Sequence, residues 1–129
     1  MEVEALNGAP GVRSARFAGD HATDSENRAL LLAKLDGVTN RSARFRTVVA
    51  LVSSKGDIHF VGGECVGTIA ESERGDRGFG YDSLFIPADG DGRTFAEMAG
   101  PEKDAVSHRG RALAQIPELL ARIFGLPTP

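Results

Sequence analysis

This sequence has almost no cysteine and no long apolar run, and both scarcities narrow its function. The single cysteine, Cys65, cannot form an intramolecular disulfide, so we expect a reducing, cytoplasmic setting. No apolar stretch approaches the length of a membrane span. The acidic start at residues 1–4 has no apolar leader, so we expect no signal peptide. The sequence therefore predicts a cytoplasmic protein that makes no use of a membrane.

Basic residues are not in excess either. The chain of 129 residues carries 15 Lys and Arg against 18 Asp and Glu, which gives a net charge of −3. Domains that bind DNA or RNA normally have a basic face, so we expect no nucleic-acid partner. Basic residues do cluster locally, as at Arg109 and Arg111, and such a cluster suits a small phosphorylated ligand. The length fits one domain, which we place over 1–129.

Several motifs of catalysis and metal binding are missing. The sequence has no Walker A loop, no HExxH motif and no pair of cysteines. The three histidines lack the spacing of metal ligands, and no serine or cysteine lies in a nucleophile elbow. The residues by themselves therefore indicate no complete machinery for cutting a substrate.

The first third of the chain predicts a strand followed by a helix. Residues 2–6 alternate between polar and apolar side chains, as a half-buried strand does. Residues 23–35 have the apolar period of a helix, with Thr23 and Glu26 at the spacing of a capping box.

The remaining patterns predict a hairpin and then helices. Residues 44–52 and 57–69 are expected to be its two strands, with a β-bulge at Gly62 and Gly63. Residues 101–106 and 111–124 are expected to be helical. The order of strand, helix, hairpin, loop and helix predicts an α/β or α+β fold.

Two glycine-containing segments carry the most informative chemistry. Residues 78–82 read Gly-Phe-Gly-Tyr-Asp, and residues 107–113 read Ser-His-Arg-Gly-Arg-Ala-Leu. Phe79 lies between two glycines and can stack on a base, a contact worth roughly 1–3 kcal/mol. Asp82 can accept a hydrogen bond from the N1–H of a 6-oxo purine. The two segments therefore suggest a nucleotide as ligand.

A site for a 6-oxo purine also needs a donor that faces the oxygen. Lys103, His108 or Arg109 can donate there, and fixed polar groups discriminate strongly against the wrong base. The residues alone leave alternatives open. Phe79 and Asp82 fit a small core under the loop equally well, and Tyr81 is better explained as part of that core. The segment at 107–113 also fits a helix that Ser107 caps, with exposed charges.

Several segments, in one order, resemble the inosine triphosphatase family, also called Ham1-like or dITP/XTP pyrophosphatases. The resemblance covers almost the whole chain. The matching segments are 2–12, 14–19, 78–82, 94–97, 102–103 and 107–113. It implies an α/β fold with a mixed central β-sheet flanked by helices, of which this chain is the C-terminal portion.

The resemblance also implies an activity and a set of binding residues. The family hydrolyses dITP, ITP and XTP to the monophosphate and pyrophosphate, which removes aberrant purine nucleotides. It uses Mg²⁺ and is typically a homodimer. By resemblance, the base-binding residues are Phe79, Gly80, Tyr81 and Asp82, and further substrate contacts come from Lys103, His108 and Arg109.

One departure from the family affects catalysis. Family members carry a long segment before the part that this chain matches, with a phosphate-gripping loop, an acidic metal ligand and an Asp-Asp-Ser-Gly run that holds the general base. We therefore expect a chain truncated at its N-terminal end, with no catalytic residue and no metal ligand among those present. Alternatives to the enzyme are an inactive fragment that binds purine nucleotides and a remnant that only dimerises.

Overall fold

The computed structural model describes residues 1–124 and has an α/β fold, as expected. Its helices, in chain order, are α1 (Asp24–Lys34), α2 (Gly100–Val106), α3 (His108–Leu113) and α4 (Ile116–Phe124). Its strands are β1 (Glu2–Val3), β2 (Ser42–Val52), β3 (Ile58–Ile69) and β4 (Phe85–Pro87). The strands form one sheet in the order β1-β2-β3-β4, and α3 packs against β2 and β3. The resemblance implied a mixed sheet, whereas every pairing among the described strands is antiparallel.

The capping box predicted for α1 is present. Thr23 Oγ1 accepts a hydrogen bond from the Glu26 amide at 3.1 Å, and Glu26 Oε1 accepts one from the Thr23 amide at 2.9 Å. Two free amides of the first turn are satisfied in this way. The apolar stripe brings Leu31 and Leu35 into the core, where both are fully buried.

The first strand is much shorter than residues 2–6. Only Glu2–Val3 pair with β2, and Glu4–Leu6 form a turn of 3₁₀ helix. The chain reverses there because Asn7 and Gly8 adopt positive φ angles of 56° and 89°. Asparagine and glycine tolerate that conformation better than other residues. A strand cannot continue through such a turn.

The bulge predicted in β3 is wrong. Gly62 pairs with Val48 and Gly63 with Thr47, one residue opposite one, so the ladder is regular. Gly63 instead faces α3. A Cβ at this position would lie 2.0 Å from the carbonyl oxygen of His108 and 2.5 Å from the amide nitrogen of Ala112. Glycine is required because a helix backbone packs directly on the strand.

The two faces of the hairpin differ in burial. Val61, Gly63 and Cys65 are buried beneath the helices, whereas Val48 and Phe60 on the opposite face are 63% and 68% exposed. The buried face continues into a core that contains Phe45, Phe85 and Phe95, with ring centroids 4.7–5.9 Å apart. Burial raises the pKa of the Cys65 thiol, as is usual for a cysteine packed in a core.

The predicted C-terminal helices are present with shifted bounds. Residues 101–106 lie within α2, and the helix expected at 111–124 is divided into α3 and α4. Ser107 begins α3, because its Oγ accepts a hydrogen bond from the Gly110 amide at 3.0 Å. None of the helices within residues 1–124 is long and apolar enough to cross a membrane.

Because β3 and α3 are in direct contact, we expect alanine substitutions at the two neighbouring glycines to differ in their effect on stability. Gly63→Ala should lower the free energy of unfolding by about 1–3 kcal/mol, because the new methyl group must push α3 away from the sheet. Gly62→Ala is the matched control. Its Cβ would point to the open face, with the nearest atom at 3.7 Å. Urea unfolding of both variants measures the difference, and equal effects at the two positions would contradict the packing described here.

Candidate functional site

Asp82 is the last residue of the loop at 78–82, and the loop wraps around its side chain. Its side chain is nearly buried, and its Oδ2 accepts hydrogen bonds from the Phe79 amide at 3.1 Å and the Lys103 ammonium at 2.6 Å. The loop passes so close that a Cβ on Gly78 would lie 2.0 Å from the same oxygen, and Gly78 has a φ of 77°. A glycine is therefore needed for the loop to wrap the carboxylate.

Phe79 projects from this loop into solvent. It is 63% exposed, so it does not belong to the core that was the alternative interpretation. Two cations lie near its ring: the Lys103 Nζ is 5.0 Å from the centroid, and the Arg109 Cζ is 5.8 Å away. Both distances are within the range of cation–π attraction. The structure thus brings an exposed aromatic face together with two positively charged donors.

Lys103 connects the loop to α2. The ion pair with Asp82 is well shielded, since the two side chains are 23% and 9% exposed. Lys103 also lies 5.7 Å from the ring centroid of Phe95 in the core. The contact with Asp82 therefore holds the ammonium group next to Phe79.

His108 lies beside this cluster at the start of α3. Its imidazole stacks on Phe45 with centroids 5.0 Å apart and an interplanar angle of 12°. Burial, aided by the charge of Arg109, lowers the pKa of His108 to about 4. The ring is therefore neutral at pH 7. Its Nδ1 is buried without a hydrogen-bond partner among the described residues.

Gly80 and Tyr81 serve the loop in a different way. The Tyr81 hydroxyl donates to the carbonyl oxygen of Ser14 at 2.7 Å, and its ring is part of the core. Burial raises the pKa of Tyr81 to about 12, and the charge of Asp24 adds to that rise. Gly80 offers only backbone, and both of its polar groups are hydrogen bonded to α1. This geometry fits the interpretation, favoured from the sequence, that Tyr81 is part of the hydrophobic core.

Sequence reasoning missed the part that α1 plays. Asp24 and Arg28 are the residues that bond Gly80, and a small cavity of about 110 Å³ lies between Arg28, Phe79 and Asp82. Their spacing of four residues places them on one face of the helix, which the sequence does reveal. No local pattern indicates that this face meets a loop more than 50 residues later.

A larger cleft of about 1090 Å³ lies over the open face of the sheet. Glu2, Arg44 and Glu64 line it, and none of the seven expected binding residues does. Arg44 at this cleft is already paired, since it contacts both Glu2 and Glu64. The cluster at Phe79 offers an aromatic face and two cations to a nucleotide, whereas the cleft offers only its larger volume. We therefore locate the candidate site at Phe79 and not in this cleft.

A divalent metal ion needs several carboxylate, imidazole or thiolate ligands close together. Within residues 1–124 there is no group of three or more His, Cys, Asp or Glu side chains that could hold a metal ion. Asp82, the carboxylate at the site, is already bonded to Lys103. The side chains described here therefore do not fit a Mg²⁺ centre by themselves.

Two dITP/XTP pyrophosphatases are similar to nearly all of this chain. The dITP/XTP pyrophosphatase of Mycolicibacterium paratuberculosis is 53% identical over 130 aligned positions, which cover 97% of this chain and 63% of that protein. The dITP/XTP pyrophosphatase of Deinococcus deserti is 53% identical over 116 positions, which cover 90% of this chain and 55% of that protein.

Solved structures agree with the sequence relatives. The Ham1 protein of Staphylococcus aureus superposes with a TM-score of 0.86 at 36% identity, covering 96% of this chain and 62% of that structure. A dITP/XTP pyrophosphatase from Mycobacterium abscessus gives a TM-score of 0.76 at 50% identity, covering 89% and 61%.

This chain therefore spans about 55–63% of the length of the relatives compared above. The family model of the Ham1 family matches residues 1–119. With that match and relatives about half identical along nearly the whole chain, the protein belongs to the Ham1 family.

Proposed function

We propose that this protein binds purine nucleoside triphosphates with a 6-oxo base and acts in their hydrolysis to the monophosphate and pyrophosphate. The cluster of Phe79, Asp82, Lys103 and Arg109 is the observation that carries the proposal. Its chemistry matches the dITP and XTP in the names of the relatives. The seven binding residues that the resemblance implied remain predictions within it.

Base recognition follows from an exposed ring beside a fixed donor. A purine stacked on Phe79 has its edge near Lys103, whose ammonium Asp82 holds at 2.6 Å. An oxygen at position 6 can accept from that ammonium or from Arg109. The 6-amino group of adenine would place a donor against donors and leave them unpaired, which weakens binding.

Asp82 has a narrower role in this scheme than the sequence suggested. Its Oδ2 already accepts two hydrogen bonds, from Lys103 and from the Phe79 amide. A carboxylate has about four lone-pair positions, so contact with the N1–H of a base requires its remaining acceptor capacity. We propose that Asp82 first positions the donor and the ring, and that any contact with the base is additional.

The reaction we propose consumes one water and breaks the bond between the α- and β-phosphates. Mg²⁺ would neutralise the phosphates, as the resemblance implies. Because the described side chains do not fit a Mg²⁺ site, we derive no step through the ion. The neighbouring charges of Lys103 and Arg109 attract an anionic ligand to a chain whose net charge is −3.

The cytoplasmic setting, the lack of a nucleic-acid partner, the single domain over 1–129 and the homodimer also remain predictions.

The open sheet face supports self-association, since Val48, Val52, Ile58 and Phe60 are each more than half exposed there. Sedimentation velocity at several concentrations measures it, and a monomer at all of them would contradict the dimer.

Product analysis tests the reaction. Incubation of the protein with dITP and Mg²⁺ should yield dIMP and pyrophosphate in equal amounts, with much less product from dATP. Release of inorganic phosphate and dIDP would contradict the reaction type. Binding of dITP without any product would contradict the proposed hydrolysis and favour the nucleotide-binding alternative.

A pair of phenylalanine variants tests base stacking. Phe79→Ala should weaken ITP binding at least about fivefold, because stacking on an aromatic ring is worth roughly 1–3 kcal/mol per base. Phe60→Ala is the matched control, since that ring is 68% exposed, close to the 63% of Phe79, and lies on the open sheet face. Calorimetric titration measures both affinities. An unchanged affinity in Phe79→Ala would remove the basis of the proposed site.

The neutral His108 predicts how stability changes with pH. Its pKa of about 4 is below the ordinary 6.5 of histidine. Between these values the unfolded chain binds more protons than the folded one, so stability falls as the pH drops from 6.5 towards 4. His108→Gln should flatten this slope. Urea unfolding at pH 7, 6 and 5 measures it, with the exposed His21→Gln as control; identical slopes in wild type and His108→Gln would contradict the burial effect.

A further inference from the structure

The helix α1 holds the loop at 78–82 through two hydrogen bonds to the backbone of Gly80. The Gly80 amide donates to Asp24 Oδ2 at 2.9 Å, and the Gly80 carbonyl accepts from Arg28 Nη1 at 2.8 Å. Asp24 and Arg28 are four residues apart, so they project from the same face of the helix. We call these two side chains the α1 clamp.

The clamp acts where the loop has little else to fix it. Gly78 and Gly80 have positive φ angles of 77° and 60°, and glycine at such positions leaves the unfolded loop many conformations. Phe79 lies between them and is mostly exposed, so core packing does not set the position of its ring. On one side Asp82 bonds the Phe79 amide, and on the other the clamp bonds Gly80. These backbone contacts therefore fix the point on the loop from which the ring projects.

The clamp is itself braced. Arg28 also pairs with Glu73, and Glu73 accepts a hydrogen bond from Ser83 Oγ at 2.8 Å. Glu73, which precedes the loop, therefore links Arg28 to Ser83, which follows it. Asp24 lies in the first turn of α1, where a carboxylate is favourable for the helix dipole. The polar groups of the clamp are engaged with the loop and not with the exposed face of Phe79, which indicates a positioning role.

We propose that Asp24 and Arg28 are positioning residues for base selection. By fixing the Gly80 peptide, they hold the backbone that carries the Phe79 ring next to the restrained Lys103 donor, whose Nζ lies 5.0 Å from the ring centroid. A ring that shifts still offers a face to any purine, but it no longer brings the 6-position to a donor. The clamp therefore sets discrimination between 6-oxo and 6-amino purines more than it sets affinity for purines in general. This inference rests on the proposed function.

Two variants of Asp24 and one control variant on the same helix turn test it. Asp24→Ala removes the acceptor for the Gly80 amide, and Asp24→Asn keeps an oxygen in its place. Glu26→Ala is the matched control, because it weakens the same helix turn through the capping box without touching the loop. Calorimetric titration of each variant with ITP and with ATP gives the ratio of the two affinities. We expect Asp24→Ala to reduce the ITP preference about tenfold, and Asp24→Asn to restore most of it.

A purely structural role predicts a different outcome. Asp24→Ala and Glu26→Ala would then both lower the melting temperature and leave the ratio of affinities unchanged, which would overturn the inference. Arg28→Ala, which removes the other half of the clamp, should reduce the ratio as Asp24→Ala does. A change in the ratio for Glu26→Ala as large as that for Asp24→Ala would also contradict it.

Amide hydrogen exchange separates this inference from the proposed function, because it needs no nucleotide. The Gly80 amide should exchange about tenfold faster in Asp24→Ala than in wild type, and at the wild-type rate in Glu26→Ala. If the exchange rates change as expected but wild type shows no preference for ITP, the clamp exists and the proposed function fails. Unchanged exchange in Asp24→Ala would overturn the clamp itself.

Discussion

The candidate site depends on the ion pair between Asp82 and Lys103. One carboxylate oxygen accepts from the lysine at 2.6 Å and from the Phe79 amide at 3.1 Å. The same atom is the reason that Gly78 cannot carry a side chain. A shielded pair of this kind contributes little net stability, but removing one partner is costly, because the other charge is left buried. Its value to the protein is therefore geometric: it places a ring and a donor at a fixed separation.

A second constraint places the remaining cations. The backbone of α3 packs directly on Gly63, and Ser107 joins α2 to α3, since its amide donates to the Lys103 carbonyl at 2.8 Å and its hydroxyl caps α3. Lys103, His108 and Arg109 thus share one helical corner that rests on the hairpin. Because the sheet fixes that corner, the core sets where the backbone of the three residues lies, and Asp82 of the loop then holds the Lys103 ammonium in place.

Features that arise from neighbouring residues could be predicted from the sequence. The capping box at Thr23 and Glu26 and the strands of the hairpin are local patterns, and the structure has both. Gly62 and Gly63 show the limit of this reasoning. A pair of glycines within a strand fits a bulge or a close backbone contact, and only the packing of α3 decides between them. The site residues came from ordered motifs and the family resemblance, whereas the α1 clamp joins residues more than 50 positions apart and leaves no local signal.

The arrangement around Phe79 also explains how a fixed site can admit a ligand. In this structure, Lys103 and Arg109 both lie within cation–π distance of the ring, where a stacked base would also lie. Asp82 restrains Lys103, so a purine that stacks there must displace the exposed Arg109 instead. Moving a solvated guanidinium costs little, since such contacts are worth about 0.5–1 kcal/mol at exposed sites. If a purine does bind here, the restrained lysine therefore provides the discrimination between bases, and the displaced arginine is free to approach the 6-oxygen or the phosphates.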